Sequence, residues 1–132
     1  QEDLVNAGAF DLKLAIQALK DGLFKFKDGR ILFPDKIVQI FDQETQERIN
    51  CLPATLLNEK ICGVKWVSVF PPNPRRYGTQ NLSAIIVLSE LEKGYPVCVM
   101  DGSAHETAIR CAGAITFAVF ALAWAALKGG EA

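Results

Sequence analysis

The sequence predicts an α+β domain: an N-terminal helix, then an antiparallel or mixed open sheet, then an apolar C-terminal helix. Three observations carry that expectation. Residues 12–26 repeat apolar side chains at helical spacing, residues 36–100 break into strand-like runs joined by short turns, and residues 111–127 carry no charge. Strands that follow one another through turns, with no helices between them, make hairpins rather than the crossovers of a doubly wound sheet.

Residues 1–10 suggest a short helix and turn around Leu4 and Val5. Asp11 is placed to cap the helix that follows. Leu12, Ile16, Leu19, Leu23 and Phe26 fall on one face at three- and four-residue steps, and Lys13, Gln17, Lys20 and Lys27 face away. Gly29 suits the left-handed position just past a helix end. Lys36–Phe41, a polar turn from Asp42 to Glu47, and Arg48–Leu52 then form a hairpin that is expected to stop at Pro53. Residues 61–70 form a longer strand, with Lys65, Val67 and Val69 on one side and Val64, Trp66 and Ser68 on the other. The run Pro71-Pro72-Asn73-Pro74 breaks it. Residues 83–89 and 95–100 give a second hairpin around Glu92-Lys93-Gly94.

The last helix, Cys111–Leu127, has Thr116 as its one plainly polar side chain, so it is apolar on all sides. A bilayer-spanning helix needs about 20 apolar residues, and alanine contributes little insertion energy. A buried interface therefore fits this segment better than a membrane does. A third reading is an apolar remnant left exposed.

Composition narrows the function classes. At 132 residues the chain fits one domain, spanning 1–132. It is 50% hydrophobic and 22% charged, a globular balance. A net charge of −1 gives no electrostatic footprint for nucleic acid. Cys51, Cys62, Cys98 and Cys111 form no CxxC pair and lie in apolar stretches, as expected of reduced thiols in the cytoplasm. No metal site is expected. Dinucleotide binding needs a strand, a GxGxxG turn and a helix, and no GxGxxG occurs; Gly129-Gly130 follows a helix instead. No cofactor is therefore expected in these residues.

Several segments, in order, resemble the ornithine cyclodeaminase/mu-crystallin family: QEDLVNAGAFDLKLAIQAL, ILFPDK, INCLPATL, ICGVKWVSVFPPNP, NLSAIIVLSELEKGYPVCVMDG and TAIRCAGA. The likeness covers about residues 1–114, and 115–132 resemble the family's final strand and helix. The resemblance implies an NAD(P)-dependent parent enzyme acting on amino or imino acids. It also implies an open sheet that closes into a barrel across a homodimer, with a Rossmann domain inserted before the last helix. That insertion is expected to be absent here, and with it the family's catalytic aspartate.

The same resemblance implies a set of substrate-binding residues. Lys65 matches the lysine of the family's G-x-K strand, which contacts the substrate carboxylate. Arg110 and Thr107 match the T-x-x-R helix start. Lys36 stands where many relatives carry a carboxylate-binding arginine, and a lysine keeps the charge without the bidentate fork. Asn50 and Leu52 stand where some members have Glu and Met; an Asn cannot act as a carboxylate base. The Asp101–Arg110 spacing is one residue longer than usual, so Ser103–Glu106 reads as altered sequence.

Blander readings stand beside these. Lys65 would be a solvated strand lysine, Arg110 a helix-flanking charge, and His105-Glu106 an exposed linker rather than an acid/base pair. The expected role is a small-carboxylate-binding and dimerisation domain without catalysis of its own. The alternatives are an NAD(P)-dependent cyclodeaminase-like or imine-reducing enzyme whose nucleotide domain lies elsewhere, and a dimeric scaffold without ligand.

Overall fold

The computed structural model describes residues 11–103, with Glu2 and Asn6, both helical, ahead of them. Helix α1 spans Leu12–Lys27. The Asp11 carboxylate accepts from the backbone N–H of Lys13 at 2.8 Å and of Leu14 at 3.3 Å, so two donors at the helix start are satisfied. Lys25 and Lys27 lie in the last turn, where a cation opposes the helix dipole favourably. Gly29 follows in the left-handed region at φ 71° and donates to the Phe26 carbonyl. Both ends are as expected from the sequence. Of the expected apolar face, Leu19 packs against the core and Phe26 meets the Phe33 ring edge-on, centroids 6.3 Å apart. Ile16 and Leu23 remain exposed.

Six strands follow: β1 Ile31–Leu32, β2 Ile37–Ile40, β3 Arg48–Leu56, β4 Ile61–Val69, β5 Leu82–Glu90 and β6 Pro96–Asp101. Their order is β1-β3-β4-β5-β6, with β2 also pairing β3, and every pair is antiparallel. Among the described residues the sheet is open. β1 and β2 share one edge and β6 forms the other. The expected C-terminal helix, 111–127, lies outside the described residues, as do the other positions of the expected 1–10 helix.

Besides β1, which forms where the sequence predicts no strand, two elements differ from expectation. Strand β3 does not stop at Pro53 but runs on to Leu56. The reason lies in the neighbouring edge. Leu57 N–H bonds the Arg30 carbonyl on the β1 side, so by period two the nitrogen of Pro53 also points to that side. There it faces residues 33–36, the gap between β1 and β2, where no ladder bond is needed. The second difference follows β4. The proline run does end that strand, but it then starts a short helix, α2 Asn73–Tyr77. A proline in a first helical turn removes no intrahelical bond, and Gly78 closes the turn at φ 66°.

The register divides the sheet into two faces. One carries Leu56–Ile61, Ala54–Gly63–Leu88 and Lys65–Ile86 as cross-strand rows. On this face Ile31, Ala54, Leu56, Ile61, Ile86 and Leu88 form one buried cluster, against which Leu19 of α1, Cys98 and Met100 pack. Burying each large aliphatic side chain there contributes about 1.5–3 kcal/mol. The opposite face carries Ile37–Cys51–Trp66–Ile85 and Pro53–Val64–Val87–Val99. It is apolar yet open: Trp66 is 43% exposed, Ile37 61% and Val99 62%.

Two of the hairpin turns, β2–β3 and β5–β6, are closed by carboxylates. Asp42 accepts from the amides of Glu44 and Thr45, and Glu90 from those of Glu92, Lys93 and Tyr95. These backbone bonds, from Thr45 first and from Lys93 first respectively, hold both carboxyls below their ordinary values. A depressed folded value contributes stability above the unfolded pKa and loses it as pH falls through the folded value. Both turns are therefore expected to stay closed until the solution is more acidic than the ordinary carboxylate range. Carboxyl carbon NMR should give midpoints for Asp42 and Glu90 below the ordinary values, with the Thr45 and Lys93 amide shifts moving in step. Midpoints at or above the ordinary values would contradict the assignment.

Candidate functional site

On the covered face, the rows next to the main core hold the residues singled out by the sequence. β3 pairs β4 so that Leu52 lies opposite Lys65 and Asn50 opposite Val67. β2 pairs β3 so that Val38 lies opposite Asn50. Extended by one residue, the same register sets Lys36 level with Leu52, which gives the row Lys36–Leu52–Lys65–Ile86–Met100. The next row is Val38–Asn50–Val67–Ala84, and the one beyond it is Ile40–Arg48–Val69–Leu82.

Lys65, Asn50 and Leu52 are half-buried, and Lys36 is exposed. Strands lie about 4.8 Å apart, so two lysines on strands two apart start about 10 Å from each other. Their flexible stems allow both ammonium groups to reach one carboxylate between them. Leu52 forms the apolar floor of that gap. Lys65 shares its face with Val67 and Val69, as its alternation in β4 requires. Thr107 and Arg110 lie outside the described residues, as do His105 and Glu106.

Asn50 is the unusual member of the group. Its Oδ1 is buried and has no hydrogen-bond partner among the described residues. An acceptor left in that state costs about 1–3 kcal/mol, so a donor brought to it by a ligand would offset a real penalty. Beside it, Val67, Val69 and Leu82 form a second buried cluster, with Leu52 and Ala84 packed against them.

Two features of this region were not evident from the sequence. Arg48 falls on the same face as Lys65, a placement that depends on the hairpin register. Gly102 carries the β5–β6 pairing one residue further: its N–H donates to the Ala84 carbonyl at 2.9 Å, and a Cβ there would meet the Ala84 Cβ at 3.0 Å. Ser103 Oγ then accepts from the Ala84 N–H at 3.0 Å. Asp101 does end β6, and its carboxylate accepts from the Ser103 N–H at 2.8 Å.

The thiols of Cys51, Cys62 and Cys98 are free and half-buried. Burial pushes the Cys98 thiol up, which keeps it protonated and poorly nucleophilic. Among the described residues no helix is long and apolar enough to cross a membrane. No GxGxxG motif occurs in the sequence, so no hydride step is assigned to these residues.

Comparison with known proteins bears directly on this arrangement. Residues 5–126 match the model of the ornithine cyclodeaminase/mu-crystallin family. The chain is 27% identical over 107 residues to N-((2S)-2-amino-2-carboxyethyl)-L-glutamate dehydrogenase of Staphylococcus aureus, covering 78% of this chain and 32% of that protein. It is 28% identical over 96 residues to alanine dehydrogenase of Archaeoglobus fulgidus, covering 73% and 28%. The solved structure of an archaeal alanine dehydrogenase dimer with bound NAD superposes with a TM-score of 0.69 at 26% identity, covering 82% of this chain and 31% of that one. The chain thus spans about a third of the length of these relatives. With its motifs in order and residues 5–126 matched, the chain belongs to the ornithine cyclodeaminase/mu-crystallin family.

Proposed function

We propose that these residues form the carboxylate-binding and dimerisation part of the family fold, with a small amino or imino acid as ligand. The observation that carries the reading is Lys65 on the covered face, level with Leu52 and Lys36, in a row that can gather a carboxylate. Arg110 and Thr107 are proposed to join it from the segment that follows β6. In this reading the chain's own residues bind and orient the substrate: the lysines hold the carboxylate, Leu52 supports its carbon skeleton and Asn50 accepts from its nitrogen. Redox chemistry would come from NAD(P) held by a dinucleotide-binding domain in a longer polypeptide. The fraction of the relatives that the chain spans supports that possibility. The proposed location is the cytoplasm.

The partner proposed is a second copy of this chain. The open apolar face around Trp66, Ile37 and Val99 and the edges of β1, β2 and β6, unpaired among the described residues, favour closure against another sheet. A barrel formed across two copies buries the face and removes the edges together.

Calorimetry with L-alanine, L-proline and pyruvate tests the pocket. At least one is expected to bind the native chain, with affinity falling about tenfold or more in Lys65→Ala, the cost of losing one charge-assisted bond of about 1.5–3 kcal/mol. No heat from any of the three, or binding indifferent to Lys65, would overturn the reading. Sedimentation equilibrium is expected to give twice the 14.4 kDa chain mass, and Trp66→Glu is expected to shift it toward the monomer. A native chain that sediments as a monomer at tens of micromolar would contradict the barrel.

A further inference from the structure

Strand β6 leaves the sheet through Asp101, Gly102 and Ser103. In a hydrogen-bonded antiparallel pair, two facing residues exchange both N–H···O bonds. Gly102 and Ala84 are joined by one of the two, from the Gly102 N–H to the Ala84 carbonyl at 2.9 Å. The Ala84 N–H goes instead to Ser103 Oγ at 3.0 Å, and the Ser103 hydroxyl donates back to the Ala84 carbonyl at 3.4 Å. A side-chain oxygen thus stands where a continuing ladder would set the carbonyl of Gly102. Ser103 is itself helical, and the Asp101 carboxylate accepts its N–H at 2.8 Å, a donor of the kind that a helix start leaves over. Gly102 between them is buried. A Cβ there would meet the Ala84 Cβ at 3.0 Å and the Ile86 Cδ1 at 3.3 Å, so the junction closes this tightly only on glycine.

From this geometry we infer that Ser103 is a positioning residue for the proposed carboxylate site. Its hydroxyl releases the chain from β5 at the Ala84 row, and so sets where the segment bearing Thr107 and Arg110 begins. The inference rests on the proposed site at Lys65. The Ala84 row adjoins the Lys65 row, and β6 lies two strands from β4. With strands about 4.8 Å apart and rows about 6.8 Å apart, the junction lies about 12 Å from the Lys65 backbone. If the Gly102 carbonyl took the Ala84 N–H, β6 would run on beside Ser83 and Leu82, and the segment would begin farther from Lys65. An alanine at 103 offers no side-chain acceptor and so leaves the Ala84 N–H to that carbonyl or to water. Ser103 touches no ligand in this account; it acts through the residues it places.

The test combines amide hydrogen exchange with calorimetry, using whichever of L-alanine, L-proline and pyruvate binds the native chain. Ser103→Ala is expected to speed exchange at the Ala84 amide by about tenfold or more while the melting temperature stays native. It is expected to weaken the ligand by about fivefold or more. Ser103→Thr keeps the hydroxyl and is expected to restore both. Fast exchange at Ala84 with undiminished affinity would make Ser103 a strand end and nothing more, overturning the inference while the carboxylate site stands. Unchanged exchange at Ala84 would overturn it too, because the hydroxyl would not be holding that amide. A loss of affinity that Ser103→Thr leaves in place would count against it in the same way. No heat from any of the three ligands would overturn the carboxylate site, and this inference with it. If Ser103→Ala does not fold, Gly102→Ala decides: its Cβ is expected to displace the junction and weaken the ligand by a similar factor, and unchanged affinity would overturn the inference.

Discussion

The uninterrupted pairing of β3, β4 and β5 governs everything else about this molecule. Each of these strands is nine residues long, and their register runs from Arg48–Val69–Leu82 to Leu56–Ile61–Glu90 without a bulge. Side chains alternate with period two, so a slip of one residue would move Lys65 to the open face and bring Trp66 inside. The register is fixed by chemistry at the strand ends, far from the site. Between β3 and β4, Lys60 adopts φ 53° and its N–H bonds the Leu57 carbonyl at 3.2 Å. Between β4 and β5, Phe70 N–H bonds the Asn81 carbonyl at 2.8 Å. The irregularity that does occur, between Leu88 and Ser89 against β6, lies outside this central trio.

From that pairing follow two faces with different work to do. The covered face combines an aliphatic core near α1 with a polar, cationic region farther along the same strands. The open face is apolar at its centre, with Gln39, Ser68 and Ser83 toward one margin, Thr55 and Ser89 toward the other and Asp101 at the end of β6, and it has no counterpart within the described part of one chain. A soluble single sheet with such a face is poorly protected against association. In the proposed dimer a second sheet placed over it removes the problem and leaves the cationic region as the proposed binding surface.

Legibility in the sequence followed the range of the interactions concerned. The cap at Asp11, the stop at Gly29 and the alternation of Lys65, Val67 and Val69 depend on neighbours a few residues away, and each could be read directly. Pro53 could not. Its acceptability depends on the 33–36 gap in an adjacent strand, and no pattern around the proline reveals that gap. The α2 turn was hidden for a related reason, since the same prolines both end a strand and begin a helix. At the site, Lys65 could be placed by alternation, while the meaning of Lys36, Asn50 and Leu52 came from resemblance and their common face from the hairpin register. Arg48 carried no signal at all, being an ordinary strand-start arginine until Ile40 and Val69 are set beside it. Gly102 was legible as a turn glycine but not as a close contact on Ala84.

The central claim is that ligand and partner use opposite faces of one sheet, assigned by the β3–β4–β5 register. A crystal structure of the chain grown with L-alanine tests it most directly. The expected result is a carboxylate beside Lys65 on the face that buries Ile86 and Leu88, with a second copy packed over Trp66. A ligand bound on the Trp66 face, or a partner covering Lys65, would contradict it.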